Sequence, residues 1–168
     1  AMVDRAYGII GKEAYFPKTR WIIDGKIYQN ACLEPDTIML WNGDIYVLDA
    51  KYYKYGATRH PSDLPESTSI NKQITYGEYI ANEDKFKKKH GENMKVYNAF
   101  LMPFDSLKSK YPNNANMLKV GQAVSNWKDN TEEYHKIQGV LLDVKTLMSI
   151  NVRQEMKEIE KLAKLIEN

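Results

Sequence analysis

The sequence predicts an α/β fold, with helices flanking a mixed central sheet that combines an antiparallel meander with a parallel crossover strand. Two observations carry this prediction. Asn42-Gly43 separates two β-rich runs, and Asn-Gly in that setting is the strongest short-range hairpin signal. A helical pattern then lies between two apolar strand patterns, and this order implies a right-handed crossover and a parallel strand pair.

Length and composition fit a single globular domain over residues 1–168. The chain is 43% hydrophobic and 27% charged. No apolar run approaches the 18 or so residues of a membrane span, so no membrane partner is expected. The 24 basic and 22 acidic residues leave a net charge of +2, which excludes a wholesale polycation. Cys32 is the only cysteine, so an internal disulfide is excluded and a cytoplasmic location is expected.

Local patterns assign the other elements. Residues 1–19 show no clear period. Asp24-Gly25 lies between two short apolar runs and predicts a second hairpin, so that residues 20–52 form one antiparallel meander. Residues 54–68 are predicted to be a loop, and Ser69 is predicted to cap the crossover helix, which runs to about residue 89. Further strands and a final helix are expected at 94–104, 118–124, 137–142 and 152–166.

Apolar spacing predicts which side of each element is buried. The strand at 44–49 is mostly apolar on both faces, as expected of a central strand that is covered on both sides. The inner stripe of the crossover helix is Ile70, Gln73, Ile74, Gly77, Ile80 and Ala81. That of the final helix is Val152, Met156, Ile159, Ala163 and Ile166. We expect the final helix to pack on its own sheet, with dimerisation as the alternative.

Two carboxylates are predicted to face each other at one end of the Asn42-Gly43 hairpin. Counting outward from the turn, Ile38 opposes Val47 and Asp36 opposes Asp49. Opposed Cβ atoms lie about 4.5–5.5 Å apart, so the two charges repel unless a hard divalent cation binds both carboxylates. This register requires a hairpin without a β-bulge.

Lys51 completes a group that suits phosphodiester hydrolysis. It follows Asp49 by two positions and therefore projects from the same face of the strand. A lysine beside two carboxylates can hold an attacking water or stabilise the negative charge of a phosphorane-like transition state. A bound cation lowers the pKa of its water and stabilises a developing oxyanion.

These residues resemble a known signature. Pro35-Asp36 followed by Asp49-Ala50-Lys51 resembles the PD-(D/E)xK motif of metal-dependent nucleases, whose core has three strands, a crossover helix and a fourth strand. The segments 34–36, 46–53 and 69–73 are similar to type II restriction endonucleases of the LlaJI kind. The segments 97–104 and 139–147 resemble the later part of the FokI-type cleavage domain. The resemblance covers residues 20–150 and implies a restriction-endonuclease-like core.

The resemblance also implies a site. Asp36, Asp49 and the carbonyl of Ala50 would bind Mg²⁺, with Mn²⁺ able to substitute. Lys51 would act on the water, and Gln73 on the crossover helix would support the site. The expected DNA-binding residues are basic and flank it: Lys54, Arg59 and Lys72.

The family fold usually begins with a helix that carries a glutamate. Residues 1–19 do not predict a long helix, which leaves the third acidic ligand unassigned, with Glu13 as a substitute. A fragment that lacks an N-terminal helix and a DNA-recognition domain is therefore one reading of the chain.

The resulting expectation is a Mg²⁺-dependent DNA endonuclease domain of a type II restriction system. It would act on double-stranded DNA as a homodimer or with a partner recognition domain or subunit. The alternatives are a repair or recombination nuclease of the same fold and a non-catalytic DNA-binding module. For Asp36, Asp49 and Lys51 the alternative is a structural ion cluster, and for Gln73 it is a polar residue at a helix margin. His60, His90 and His135 show no metal-ligand spacing and are read as loop or surface residues.

Overall fold

The computed structural model describes residues 2–108, 115–150, 153 and 155–168. The strands are β1 (Arg20–Ile23), β2 (Lys26–Gln29), β3 (Thr37–Trp41), β4 (Asp44–Ala50), β5 (Val96–Phe104), β6 (Met117–Ala123) and β7 (Ile137–Asp143). The α-helices are α1 (Met2–Tyr7), α2 (Tyr55–Thr58), α3 (Ser67–Asn82), α4 (Asp84–His90), α5 (Val144–Ser149) and α6 (Met156–Glu167). Short 3₁₀ turns lie at Lys12–Tyr15, Pro61–Asp63 and Glu133–His135.

The central sheet confirms the predicted α/β fold with a mixed sheet. Its strand order is β3-β4-β5-β7-β6. The outer pairs β3–β4 and β6–β7 are antiparallel, whereas β4–β5 and β5–β7 are parallel. Helices α3 and α4 lie in the connection between β4 and β5, as the crossover prediction requires.

The sheet is covered on both faces, which explains the two-sided apolar pattern of β4. Tyr46 and Leu48 belong to a core cluster that also contains buried residues of α1 and α6. Ile45 and Val47 point to the other face and belong to a cluster with buried residues of α3 and α4. Both faces are apolar from Ile45 to Leu48 because β4 is flanked by β3 and β5 and is buried between two helical layers.

The predicted single meander over residues 20–52 is wrong, although both of its hairpins are present. Strands β1 and β2 pair only with each other, as a separate two-stranded sheet. Asp24-Gly25 and Asn42-Gly43 both have positive φ at each position, as a two-residue primed turn requires. A local turn signal specifies each hairpin, but it does not specify whether neighbouring hairpins join. Two strands of the central sheet, and not the expected three, therefore precede the crossover helix.

The crossover helix also differs from its prediction. Glu66, not Ser69, is the residue before its first turn, and α3 ends at Asn82 rather than near residue 89. Glu83 adopts an extended conformation between α3 and α4, and the Asn82 side-chain amide donates to the Glu78 carbonyl. The predicted loop at 54–68 contains α2 and the Pro61–Asp63 turn.

Both ends of the chain carry helices that pack on the sheet. Although residues 1–19 have no clear period, α1 buries Val3, Ala6 and Tyr7 against the core. Helix α6 packs on β3, β5 and β6, which confirms the expectation that its apolar side covers the sheet. Met156 is an exception: it is 66% exposed, because it is the first residue of α6. Val152 lies outside the described residues. No helix in the described parts of the chain is long and apolar enough to cross a bilayer.

Candidate active site

The predicted hairpin register is present in the structure and positions the two carboxylates. Ile38 is paired with Val47 and Thr37 with Leu48, without a bulge between the turn and the strand ends. Asp36 immediately precedes β3, so the same register carried one residue further sets it opposite Asp49. The Asp36 Oδ2 atom accepts a hydrogen bond of 3.1 Å from the backbone N–H of Ala50. The site therefore lies at the edge of the sheet where β4 ends.

The two carboxyl groups interact with each other directly. Burial of Asp36, together with its hydrogen bond to Asp49 and the negative charge of Asp49, raises the pKa of Asp36 to about 6. The Ala50 N–H and the positive charge of Lys51 act in the opposite direction. Two acidic side chains that share a proton in this way are held close enough to share a cation. A divalent ion that is bound by both carboxyl groups requires this close approach.

Lys51 lies beside the acidic pair. Its Nζ atom is 2.6 Å from Asp49 Oδ2, and both side chains are largely buried. The backbone N–H of Lys51 donates to the carbonyl of Leu101, so the parallel pairing between β4 and β5 continues past the end of β4. The ammonium group also lies 5.7 Å from the centre of the Phe100 ring. Backbone pairing and side-chain contacts together fix the position of this cation.

Gln73 is buried behind the acidic pair, on the same face of β4. Its side-chain N–H groups donate to the Val47 carbonyl at 2.9 Å and to Asn98 Oδ1 at 3.3 Å. Asn98 Nδ2 in turn donates to the backbone carbonyls of Gln73 and Tyr134. The Gln73 amide is thus directed at the backbone of β4, two residues before Asp49, and ties α3 to the strand that carries the site.

Tyr76 is a further neighbour of the pair, which the sequence did not single out as a site residue. It is buried, and its pKa is raised to about 12 by that burial and by the charges of Asp49, Asp36 and Glu34. Its position one turn after Gln73 on α3 is the signal that could have identified it.

The donor set fits a magnesium ion. Mg²⁺ typically takes one or two carboxylates and completes its octahedron with waters and substrate phosphate. Asp36, Asp49 and the adjoining carbonyl of Ala50 provide oxygen ligands of this kind. Within residues 2–108, 115–150, 153 and 155–168, no group of three or more His, Cys, Asp or Glu side chains could hold a metal ion. The structure therefore does not group Glu13, which is exposed, with Asp36 and Asp49.

Basic residues flank the site at the same edge of the sheet. Lys54 and Arg59 line a cleft of about 450 Å³, together with Lys108 and the end of β5 at Pro103 and Phe104. Parallel strands β4 and β5 end at one edge, so this cleft and the acidic pair lie at the same edge of the sheet. Lys72 is exposed on α3, immediately before Gln73.

The histidines are not all at the surface. His135 is 7% exposed, which overturns its reading as a loop or surface residue. Its Nδ1 atom accepts a hydrogen bond from the Glu132 backbone N–H and lies 3.3 Å from Asp129 Oδ1. His90 is partly buried, and its Nε2 atom is 2.7 Å from the Tyr15 hydroxyl. His60 is exposed.

Comparison with known proteins identifies the family. The family model of the LlaJI restriction endonuclease matches residues 9–124, a span that includes α3, β5 and the segment from Asp36 to Lys51. No curated protein and no solved structure gives a significant match. The family match covers well over half of the 168 residues. The chain therefore belongs to the LlaJI restriction endonuclease family and is a DNA endonuclease of a restriction system.

Proposed function

We propose that this protein is a Mg²⁺-dependent endonuclease that hydrolyses phosphodiester bonds of double-stranded DNA, and that residues 1–168 form its cleavage domain. The observation that carries the proposal is the direct interaction of Asp36 with Asp49, with Lys51 Nζ 2.6 Å from Asp49. A structural ion cluster would balance its charges. Here two carboxylates compete for one lysine, which leaves a negative charge for a cation to neutralise.

Asp36, Asp49 and the carbonyl of Ala50 would hold the ion. When bound, Mg²⁺ supplies a Lewis acid and lowers the pKa of a coordinated water. Mn²⁺ has the same preference for oxygen ligands and is expected to substitute. The Ala50 N–H orients the Asp36 carboxylate by donating to its Oδ2 atom.

Lys51 would be the catalytic cation. Asp49 and the Phe100 ring hold its ammonium group at the end of β4, so no reorganisation of the side chain is needed when DNA binds. From that position it donates hydrogen bonds to the attacking water or to a phosphate oxygen on which negative charge develops. Gln73 is a positioning residue, because its contacts fix the backbone of β4 and not the reacting atoms.

The basic cleft would hold the DNA strand next to the scissile phosphate. Lys54, Arg59 and Lys72 are proposed to contact phosphates on either side of the cut. Cutting both strands of a duplex requires two such sites in opposite orientations. A homodimer with two-fold symmetry, or a partner subunit, would provide the second site.

Plasmid cleavage by matched variants tests this function. Asp49→Asn should reduce the Mg²⁺-dependent cleavage rate at least 100-fold, since it removes one ligand while preserving shape. Lys51→Ala should cause a loss of similar size. The matched control is Asp44→Asn, at the other end of β4, where Asp44 accepts a hydrogen bond from the Lys95 N–H that an asparagine can keep. Equal cleavage by Asp49→Asn and Asp44→Asn would disprove the assignment.

A further inference from the structure

The hairpin formed by β1, β2 and the turn between them, here called the arm, is an exposed apolar feature that the proposed active site does not use. Every residue of β1 and β2 is exposed. Five of them are large and apolar, and each is 50–63% exposed: Trp21, Ile22, Ile23, Ile27 and Tyr28. An isolated two-stranded hairpin is marginally stable in water, so an arm of this composition is expected to be covered by a partner.

The arm is apolar on both of its faces. Its register sets Trp21 opposite Tyr28 and Ile22 opposite Ile27. Adjacent pairs point to opposite faces of a two-stranded ribbon, so one aromatic pair and one isoleucine pair face opposite ways. A flat partner would cover only one of these faces. The occupant must therefore surround the ribbon, as a groove does.

The arm begins at the edge of the sheet that carries the acidic pair. At its base, the backbone N–H of Leu33 donates to the Pro17 carbonyl at 2.9 Å, and that of Asn30 donates to the Thr19 carbonyl at 3.0 Å. Asp36 follows Leu33 by three residues, and an extended chain rises about 3.3 Å per residue. The base of the arm thus lies within about 10 Å of Asp36.

The charge and size of the arm match a groove of DNA. Two cationic side chains of the arm, Arg20 and Lys26, stand against one acidic residue, Asp24 at the tip, and Lys18 precedes β1. Strands of four residues are about 14 Å long, and the major groove of B-DNA is about 12 Å wide and admits a two-stranded β-ribbon. Apolar side chains in that groove contact the methyl groups of thymine, while lysine and arginine contact phosphates on either side.

We propose that the arm lies in the major groove of the duplex beside the scissile phosphate, with its apolar side chains against thymine methyl groups. The duplex would run from the basic cleft, past Asp36 and Asp49, to the arm. The proposal rests on the proposed function, because it places the arm on the same DNA that the acidic pair cuts. A second copy of the chain is the competing occupant, but the cations on the arm and its position beside the acidic pair favour DNA.

The test measures binding of a fluorescent duplex by anisotropy. The parent protein is Asp49→Asn, which is expected to cut the DNA at least 100-fold more slowly than the wild type and has one negative charge fewer at the site. Adding Trp21→Ala and Ile22→Ala removes one apolar side chain from each face of the arm. The matched control adds Met156→Ala instead. The Met156 side chain is 66% exposed and lies near the Asn42-Gly43 turn, at the edge of the sheet opposite to the acidic pair. Each protein is measured with a thymine-containing duplex and with the same duplex in which deoxyuridine replaces thymidine.

The arm variant should bind the thymine duplex at least 10-fold more weakly than the parent, and the Met156→Ala control should not. The parent should prefer the thymine duplex, and the arm variant should lose most of that preference. Sedimentation should give one mass for all three proteins. Equal affinities, a thymine preference that survives in the arm variant, or no duplex binding by the parent would overturn the proposal. So would a loss of affinity that accompanies a change from dimer to monomer.

Failure of the proposed function gives a different result. The binding experiment uses a parent in which cleavage is already slowed. If Asp49→Asn cuts DNA as fast as the wild type but arm-dependent binding is present, the assignment of the acidic pair fails and the contact of the arm with the duplex stands.

Discussion

At Asp36 the folded protein holds a negative charge that is unfavourable unless a cation or a proton lies close to it. Burial and the neighbouring Asp49 both raise its pKa. Because the hairpin turn sets the register, the pairing of these two residues could be predicted from the sequence alone. The contacts that Lys51 and the backbone N–H groups make in the cluster could not be predicted. They depend on how far β4 and β5 remain paired beyond Ala50.

Asp36→Asn should stabilise the protein in EDTA at neutral pH. The pKa of Asp36 is about 6 in the folded state against an ordinary value of 3.8 for an aspartate in the unfolded chain, so the folded state binds the proton more tightly. Its contribution to stability is therefore full below pH about 4 and is lost as the pH rises through 6. The asparagine variant lacks this loss. We expect a gain of about 1 kcal/mol at pH 8, after allowance for solvent screening.

Urea unfolding at pH 4 and pH 8 measures this effect. The gain should be much smaller at pH 4, where the wild-type side chain is protonated in the folded state and roughly half protonated in the unfolded state. Asp44→Asn serves as the control and should show no such pH-dependent gain. A wild type that is as stable as Asp36→Asn at pH 8 would show that the two carboxylates do not repel each other.

At the scale of elements, helix α3 positions the site by its close approach to β5. A Cβ atom at Gly77 would lie 2.6 Å from the Cβ of Tyr134 and 2.8 Å from Asn98 Nδ2. Asn98 is the residue that connects Gln73 to the Tyr134 carbonyl, so the contact at Gly77 and the hydrogen bonds of Gln73 depend on the same helix position.

Gly77→Ala should therefore destabilise the protein, despite the higher helix propensity of alanine. Overpacking of this kind typically costs about 1–3 kcal/mol. Thr75→Ala is the matched control, because Thr75 is exposed on the same helix, and its change should stay within about 0.5 kcal/mol. Urea unfolding compares the two. If Gly77→Ala is as stable as Thr75→Ala, the close packing of α3 on β5 is incorrect.

Predictability from sequence also differs between elements. The apolar runs of β3, β4 and β5, with the turn dipeptide between β3 and β4, were sufficient to place them, since those signals are local. Whether β1 and β2 join the central sheet depends on contacts made by residues 30–36, which carry no periodic signal. Helix α1 was missed because six residues are too few to establish a helical period, although its burial against the core holds it in place. Met156 was assigned to a buried side because spacing alone does not show where a helix leaves the sheet.

For the whole molecule, a net charge of +2 conceals local clusters of basic residues at two edges of the sheet. Lys54, Arg59 and Lys108 line the cleft beside the acidic pair, while the lysine-rich end of α4 lies beyond the start of β5, at the opposite edge of the sheet. A cation bound at the pair would remove two negative charges from the edge with the cleft. The proposed consequence is metal-dependent DNA binding at one edge of the sheet, and not nonspecific binding over the whole surface.

Lys54→Gln should reduce the salt dependence of duplex binding. Each phosphate contact contributes about 0.9 to the slope of log K against log salt concentration, so the slope should become smaller by about one. The control is Lys88→Gln, an exposed residue of α4 at the opposite edge, which should leave the slope unchanged. Equal slopes for both variants, measured by anisotropy, would place the DNA elsewhere.

Metal binding by the isolated chain tests the central claim most directly, because it reports on the acidic pair without requiring a recognition domain or a second subunit. Isothermal titration calorimetry with Mg²⁺ or Mn²⁺ should give one strong site in the wild type and in Asp44→Asn. Asp36→Asn and Asp49→Asn should each bind the ion at least 10-fold more weakly. If all four proteins bind the ion with the same affinity, or if none binds it, Asp36 and Asp49 are not the metal centre of this nuclease.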